Sequence, residues 1–253
     1  MAGVARREMR LMHEPRLFKH RWRRLRAERW GSRTVVVREQ KKLLLQQPHI
    51  HITIATMSQG TLYIHKYSPR SNWAGLLVKE LGLDITVKFI QDNAEEFGKE
   101  FPLKLAPAFL GADGFKLTES AAVYPYLIDI SKNDTLAGKN AKDRAQVTRW
   151  FAFLNTTVCD SWVQLLFKSK TDEEKAAAVE KLKFYASYID SELSQHKYLA
   201  GDYITLADEY LYAFYPALGG SIGGVSAETY PHFAKWAADI AEKDPVAKAL
   251  SAA

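Results

Sequence analysis

An α/β domain followed by an all-helical domain is the fold class this sequence predicts, and three observations predict it. Short apolar strands alternate with helical segments from residue 60 to about 131, the stretch "SKNDTLAGKN" (131–140) is polar and turn-rich, and beyond residue 141 only helical spacing remains. The expected organisation is a basic extension over 1–56, an α/β domain over 57–131, a linker over 132–140 and an all-α domain over 141–253.

Each element has its own reason. "GTLYIH" (60–65) is a short apolar strand, and "SPRSNWAGLLVKELG" reads as a helix with Ser68 as N-cap, Pro69 in the first turn and Gly82 just past the end. "DITVKFI" (84–90) alternates as a strand, and "NAEEFGKEF" offers a short helix capped by Asn93, which completes a β-α-β unit. "APAFLG" and "FKLTE" are two strands joined by "ADG", where Asp113-Gly114 favours positive φ in a hairpin. A longer helix starts at Ser120 and runs through "AAVYPYLIDI", with Pro125 inside it as a possible kink. "AKDRAQVTRWFAFLNTTVCDSWVQLLF" and "DEEKAAAVEKLKFYASYIDSEL" then carry apolar residues three and four apart. In the first of these, Trp150, Phe151 and Phe153 are expected to pack the core and the junction between domains, with Cys159 buried and inert.

Composition narrows the function classes. The chain has 253 residues, 47% of them hydrophobic, enough for a sizeable core, and no apolar run approaches the roughly 18 residues of a membrane span. A single cysteine rules out an intrachain disulfide and any multi-cysteine metal site, and no metal centre is expected. The net charge of +6 suggests nucleic acid until its distribution is read. Residues 1–56 hold fourteen Lys/Arg against four acids, leaving 21 basic and 25 acidic residues in the remainder. A mildly acidic body does not attract phosphate backbones, so a nucleic-acid function rests on the first segment alone. That segment, with "RLFKHRWRRLRAERWGSR", has three readings: upstream sequence or a tail before a true start at Met57, a mitochondrial presequence, or a basic arm touching RNA.

Two motifs carry the chemistry. "FPLKLAPAFLGADGFKLTES" (101–120) sets Pro107 where a strand should begin and ends in Thr118-Glu119-Ser120. "YLAGDYITLADEYL" offers Thr205 as an N-cap with Asp208 three residues on, a capping box with Ile204 available as its apolar staple. With a β-α-β unit, a hairpin and an all-helical half, this pattern resembles the glutathione transferase fold: a thioredoxin-like domain with a cis proline before its third strand, then a helical domain.

The resemblance implies a tripeptide site. A cis proline at Pro107 turns the backbone of Ala106 toward a groove, where it can pair with the main chain of glutathione. Glu119 and Ser120 match the family's "ES" pair, at which the γ-glutamyl carboxylate meets a helix N-terminus; capping of that helix is the competing role. Lys104 is within reach of the glycyl carboxylate or is a solvated surface lysine. Ser68 falls where theta-like classes carry the serine that stabilises the glutathione thiolate, with Tyr67 as rival donor and simple N-capping as the plainer role. His65 and Arg70, nearby, read as solvated loop residues.

Within the superfamily, "MSQGTLYI", "FPLKLAPAFLGADGFKLTE", "AQVTRWFAFLN" and "YPHFAKW" resemble the N-terminal transferase-like domain of fungal translation elongation factor 1-gamma, although the chain ends at "VAKALSAA" without that family's further domain. The resemblance implies two candidate functions. One is a binding or scaffold module among elongation factor 1 subunits with secondary glutathione affinity; the other is a transferase conjugating glutathione to small electrophiles. Either implies a cytoplasmic homodimer, or a mitochondrial protein if residues 1–56 are a presequence.

Overall fold

Strand β1 (Gly60–Ile64) is buried on both sides, which explains why "GTLYI" reads as an uninterrupted apolar run. Leu62 and Ile64 face the main core, while Tyr63 points the other way into a smaller cluster with Phe97, Phe101 and Ala108. The computed structural model describes residues 58–133 and 135–252; the basic segment 1–56 and Met57 lie outside the described residues.

β1 pairs in parallel with β2 (Ile85–Phe89) and antiparallel with β3 (Ala108–Gly111), which pairs antiparallel with β4 (Lys116–Thr118), giving the order β2-β1-β3-β4. Helix α1 (Ala74–Glu80) connects β1 to β2, and α2 (Ala94–Glu100) connects β2 to β3. α2 lays Phe97 on Tyr63, with ring centroids 5.1 Å apart, and so covers one face of the sheet. Trp73, Leu77 and Val78 from the α1 region cover the other, with Val123 and Tyr124 of α3 (Ser120–Ser131).

Details of several elements differ from the sequence reading. Helix α1 begins at Ala74, so Ser68 is not its N-cap and Pro69 is not in its first turn. The Ser68 carbonyl instead accepts from Ser71 N and Asn72 N (both 2.9 Å), opening a turn that precedes the helix. Asn93 occupies the N-cap of α2, but its side-chain amide donates back to the Phe89 carbonyl (2.9 Å) rather than capping. Pro125 lies within an α3 that is helical on both sides of it. At the β3–β4 hairpin only Gly114 takes positive φ (+87°); Asp113 contributes through its side chain, which accepts from Phe115 N at 3.0 Å.

The second half is helical, and among the described residues the sole strand-like pairing in it is the isolated bridge Tyr198–Gly201. Asn140 caps α4 (Ala141–Ala152) by accepting from Lys142 N and Asp143 N. The long apolar periodicity after it is one helical path broken by two π-helical turns, Phe153–Val158 and Gln164–Lys168, around α5 (Cys159–Val163). Apolar spacing cannot reveal these turns, because inserting one residue per turn leaves a face apolar while rotating the helix beyond it. α6 (Asp172–Leu193) starts at a full capping box, Thr171 with Glu174. α7 (Leu206–Ile222), α8 (Pro231–Lys243) and α9 (Pro245–Ser251) complete the chain.

Both halves share one core. Phe151 of α4 meets Tyr124 of α3 edge-on at 5.9 Å and Tyr210 of α7 at 4.8 Å, so the aromatic residues at 150–153 join the two parts. No helix among the described residues is long and apolar enough to cross a membrane.

Candidate functional site

Strand register decides where the chemistry-bearing loops go. Tyr63 of β1 pairs with Ala108 of β3, and Ala108 pairs with Thr118 of β4, so one row of residues crosses three strands at one end of the sheet. β1 and β4 run toward this end and β3 starts from it. Three loops therefore emerge side by side: His65–Arg70 after β1, Ala106–Pro107 before β3, and Glu119–Ser120 after β4. The Ala106–Pro107 peptide is cis, and β3 begins only at Ala108, which leaves Ala106 outside the ladder.

Glu119 holds φ +69° and ψ 123°, a left-handed conformation that costs a non-glycine residue on the order of 1 kcal/mol or more. Its carbonyl accepts from Ala122 N and Val123 N, both at 2.9 Å. The amides of Ser120 and Ala121, ahead of these, have no acceptor within the helix and present the positive end of its dipole.

Ser120 is 3% exposed, and its hydroxyl donates to Asn155 Oδ1 at 3.1 Å. Tyr210 donates to the same oxygen at 2.9 Å. The backbone carbonyl of Asn155 accepts from Arg70 Nε (3.4 Å) and Nη2 (3.2 Å), and Arg70 also pairs with Asp160 at 2.5 Å. Tyr124 closes the ring of contacts by donating to the Arg70 carbonyl. Asn155 thus ties the β1 loop, the start of α3 and α7 together from within the first π-helical turn.

The other predicted residues occupy varied surroundings. Ser68 is half-buried, and its Oγ accepts from Arg70 N at 3.4 Å, a contact that does not use its own hydrogen. The Tyr67 ring is 78% exposed. Lys104 is exposed, with φ +52°, and its ammonium lies beside Gly98 of α2. Arg70, read as a solvated loop residue, is instead half-buried and bridges to the helical half. Cys159 is buried; burial pushes its thiol up and the Arg70 guanidinium pulls only partly the other way, which disfavours the reactive thiolate. In the capping box, Thr205 N and Thr205 Oγ1 donate to Asp208 Oδ2 (3.0 and 2.8 Å). Leu199 N and Trp236 Nε1 donate to Asp208 Oδ1 (2.9 and 3.0 Å).

Sequence reading missed Asn155 and Tyr210. The only signal for Asn155 is a single amide inside the apolar run "WFAFLNTTV"; Tyr210 looks like any core aromatic.

Residues 58–129 match the family profile "Glutathione S-transferase, N-terminal domain", and residues 121–244 match "Glutathione S-transferase, C-terminal domain". A curated relative, glutathione S-transferase Y-2 of Pichia kudriavzevii, is 32% identical over 190 residues, covering 74% of this chain and 96% of that protein. This chain belongs to the glutathione S-transferase family. A solved glutathione S-transferase from Pichia kudriavzevii superposes with a TM-score of 0.66 at 39% identity, over 76% of this chain and 96% of that one. Elongation factor 1-gamma 1 of Saccharomyces cerevisiae is 34% identical over 170 residues, which is 60% of this chain but 39% of that longer protein.

Proposed function

We propose that this protein binds glutathione at the end of the sheet and conjugates it to small electrophiles, with Ser68 donating a hydrogen bond to the thiolate. The observation that carries this reading is the register row Tyr63–Ala108–Thr118, which gathers the Ser68 loop, Ala106–Pro107 and Glu119–Ser120 at one end of the sheet. The Ala106 main chain then pairs with the tripeptide backbone. The amides at the start of α3 receive the γ-glutamyl carboxylate beside Glu119, the Ser120 hydroxyl turns its single hydrogen from Asn155 Oδ1 to that carboxylate on binding, and Lys104 serves the glycyl carboxylate. A hydroxyl donating to sulfur favours the charged form and lowers the thiol pKa.

Ser68→Ala tests the catalytic part. Loss of a hydrogen bond to a charged group, about 1.5–3 kcal/mol, lowers kcat/KM with an activated aryl chloride roughly 10–100-fold while glutathione affinity changes little. An unchanged rate removes Ser68 from the mechanism and moves the role to Tyr67.

The similarity to elongation factor 1-gamma favours a second reading, a binding module for elongation factor 1 subunits that keeps glutathione affinity as a secondary property. Tagged protein recovered from a fungal extract then carries guanine-nucleotide exchange subunits. Their absence counts against this reading and leaves the first one standing.

A further inference from the structure

Away from the sheet end, three carboxylates from three elements meet: Glu80 at the end of α1, Glu209 in the first turn of α7, and Asp244 between α8 and α9. One oxygen from each lies within 4.8 Å of the other two. Two oxygens held on opposite sides of a cation with bonds of about 2.3–2.6 Å are separated by about 5 Å, so this spacing matches a shared metal. Glu209 has no exposed surface, and no N–H or hydroxyl donates to either of its oxygens; the Glu80 carboxyl alone lies within hydrogen-bonding reach, a contact that needs a proton on one of the two. Glu80 Oε2 is also buried without a donor. Asp244 is 2% exposed and accepts only locally, from Ala247 N at 2.7 Å.

Three like charges packed this closely cannot all persist ionised without compensation, because each buried carboxylate is costly unless paired. The surrounding charges do not supply it. Asp208 adds a further acid on α7, and Lys248 on α9 acts on Asp244 alone. Of the two lysines lining the neighbouring cleft, Lys243 on α8 is paired with Asp239 and Lys197 lies over the ring of Tyr198. Burial, and then the neighbouring carboxylates, push Glu209 up well above the usual range, and burial raises Glu80 and Asp244 too. The neutralising partner is therefore a proton or a cation. A cleft of about 400 Å³, lined by Glu80 and Asp244 together with Asp202, Lys197 and Lys243, reaches two of the three carboxylates and leaves room for water ligands.

We propose that Glu80, Glu209 and Asp244 form a binding site for a hard divalent cation, Mg2+, Mn2+ or Ca2+, that ties α1 to the start of α7 and to the α8–α9 junction. The donor set is oxygen only, which suits these ions over softer metals that seek sulfur or imidazole. Protons compete for the same oxygens, so affinity rises with pH.

The test is thermal melting and titration calorimetry of the full chain, stripped with EDTA, against MgCl2, MnCl2 and CaCl2 separately at about pH 7.5. At least one ion is expected to raise Tm by several degrees and to bind with a stoichiometry near one, more weakly at about pH 5.5. Glu209→Leu is expected to abolish that shift, while its metal-free Tm equals or exceeds that of the unsubstituted protein because an unpaired buried carboxylate has been removed. Asp244→Asn provides a second variant and is expected to lower affinity about tenfold or more. No heat and no Tm change with any of the three ions overturns the proposal, as does a shift retained in both variants.

Discussion

Asp208→Ala is expected to lower the stability of the folded chain by about 3–5 kcal/mol, seen as a fall in Tm of about 10 °C. The carboxylate is fully buried and accepts four hydrogen bonds, from Leu199 N, Trp236 Nε1, Thr205 N and Thr205 Oγ1. Alanine leaves these donors buried without an acceptor, each costing on the order of 1–3 kcal/mol, and opens a small cavity. An opposing effect is real but smaller. Burial outweighs the four hydrogen bonds and pushes the Asp208 carboxyl up to about 6, so ionising it in the core is unfavourable.

That same shift gives a pH signature. Below about pH 4 the carboxyl holds its proton in both the folded and the unfolded chain. Between about pH 4 and 6 the unfolded chain releases the proton while the folded chain keeps it, so stability falls as pH rises through this window and levels off above it. The loss through this group is about 3 kcal/mol between pH 4 and 7. Asp208→Asn lacks it, so the gap in stability between the unsubstituted protein and this variant changes by that amount across the window. Parallel pH profiles contradict the burial argument. Because Asp208 lies outside the proposed glutathione site, the fraction of Asp208→Ala that folds is expected to keep whatever glutathione affinity the unsubstituted protein has.

Asn155→Ala is the second change with a large expected effect. It removes the acceptor of both Ser120 Oγ and Tyr210 OH, which lie in different halves of the chain. Two partly buried hydroxyls losing their acceptor cost about 1–3 kcal/mol in stability. The larger consequence falls on the site. Without Asn155 Oδ1 the start of α3 and helix α7 lose their shared anchor, the geometry of the proposed site loosens, and glutathione affinity is expected to fall roughly tenfold, measured by calorimetry at a temperature where the variant is folded. The Arg70 bridge survives this substitution because it uses the Asn155 main chain. Unchanged affinity with lowered Tm makes Asn155 a purely structural residue.

The parts of the fold legible in the sequence are those governed by local chemistry. Strand alternation, Gly82 after α1 with φ +64°, and the Thr205–Asp208 box before α7 each depend on residues within a few positions of one another. Ser68 misled for the same reason: a serine followed by proline is a good local N-cap, yet the helix waits until Trp73 and Ala74 reach the core. The features that stayed hidden depend on contacts far apart in sequence. Asn155 gains its role only because a π-helical turn aims it at Ser120, 35 positions away, and the Glu80–Glu209–Asp244 cluster joins three helical segments with no shared motif. The loop residues of the sheet end are legible in the sequence only through the family resemblance, and strand register brings those loops to one end of the sheet.

The measurement that most directly tests the central claim is glutathione binding to the full chain by titration calorimetry, beside Ser120→Ala. Saturable binding with one tripeptide per chain, weakened at least about tenfold in the variant at a temperature where both proteins are folded, is the predicted result for loss of a hydrogen bond to a charged carboxylate. Absence of binding to the unsubstituted protein, or equal affinity in the variant, contradicts a live tripeptide site between Ala106–Pro107 and the start of α3.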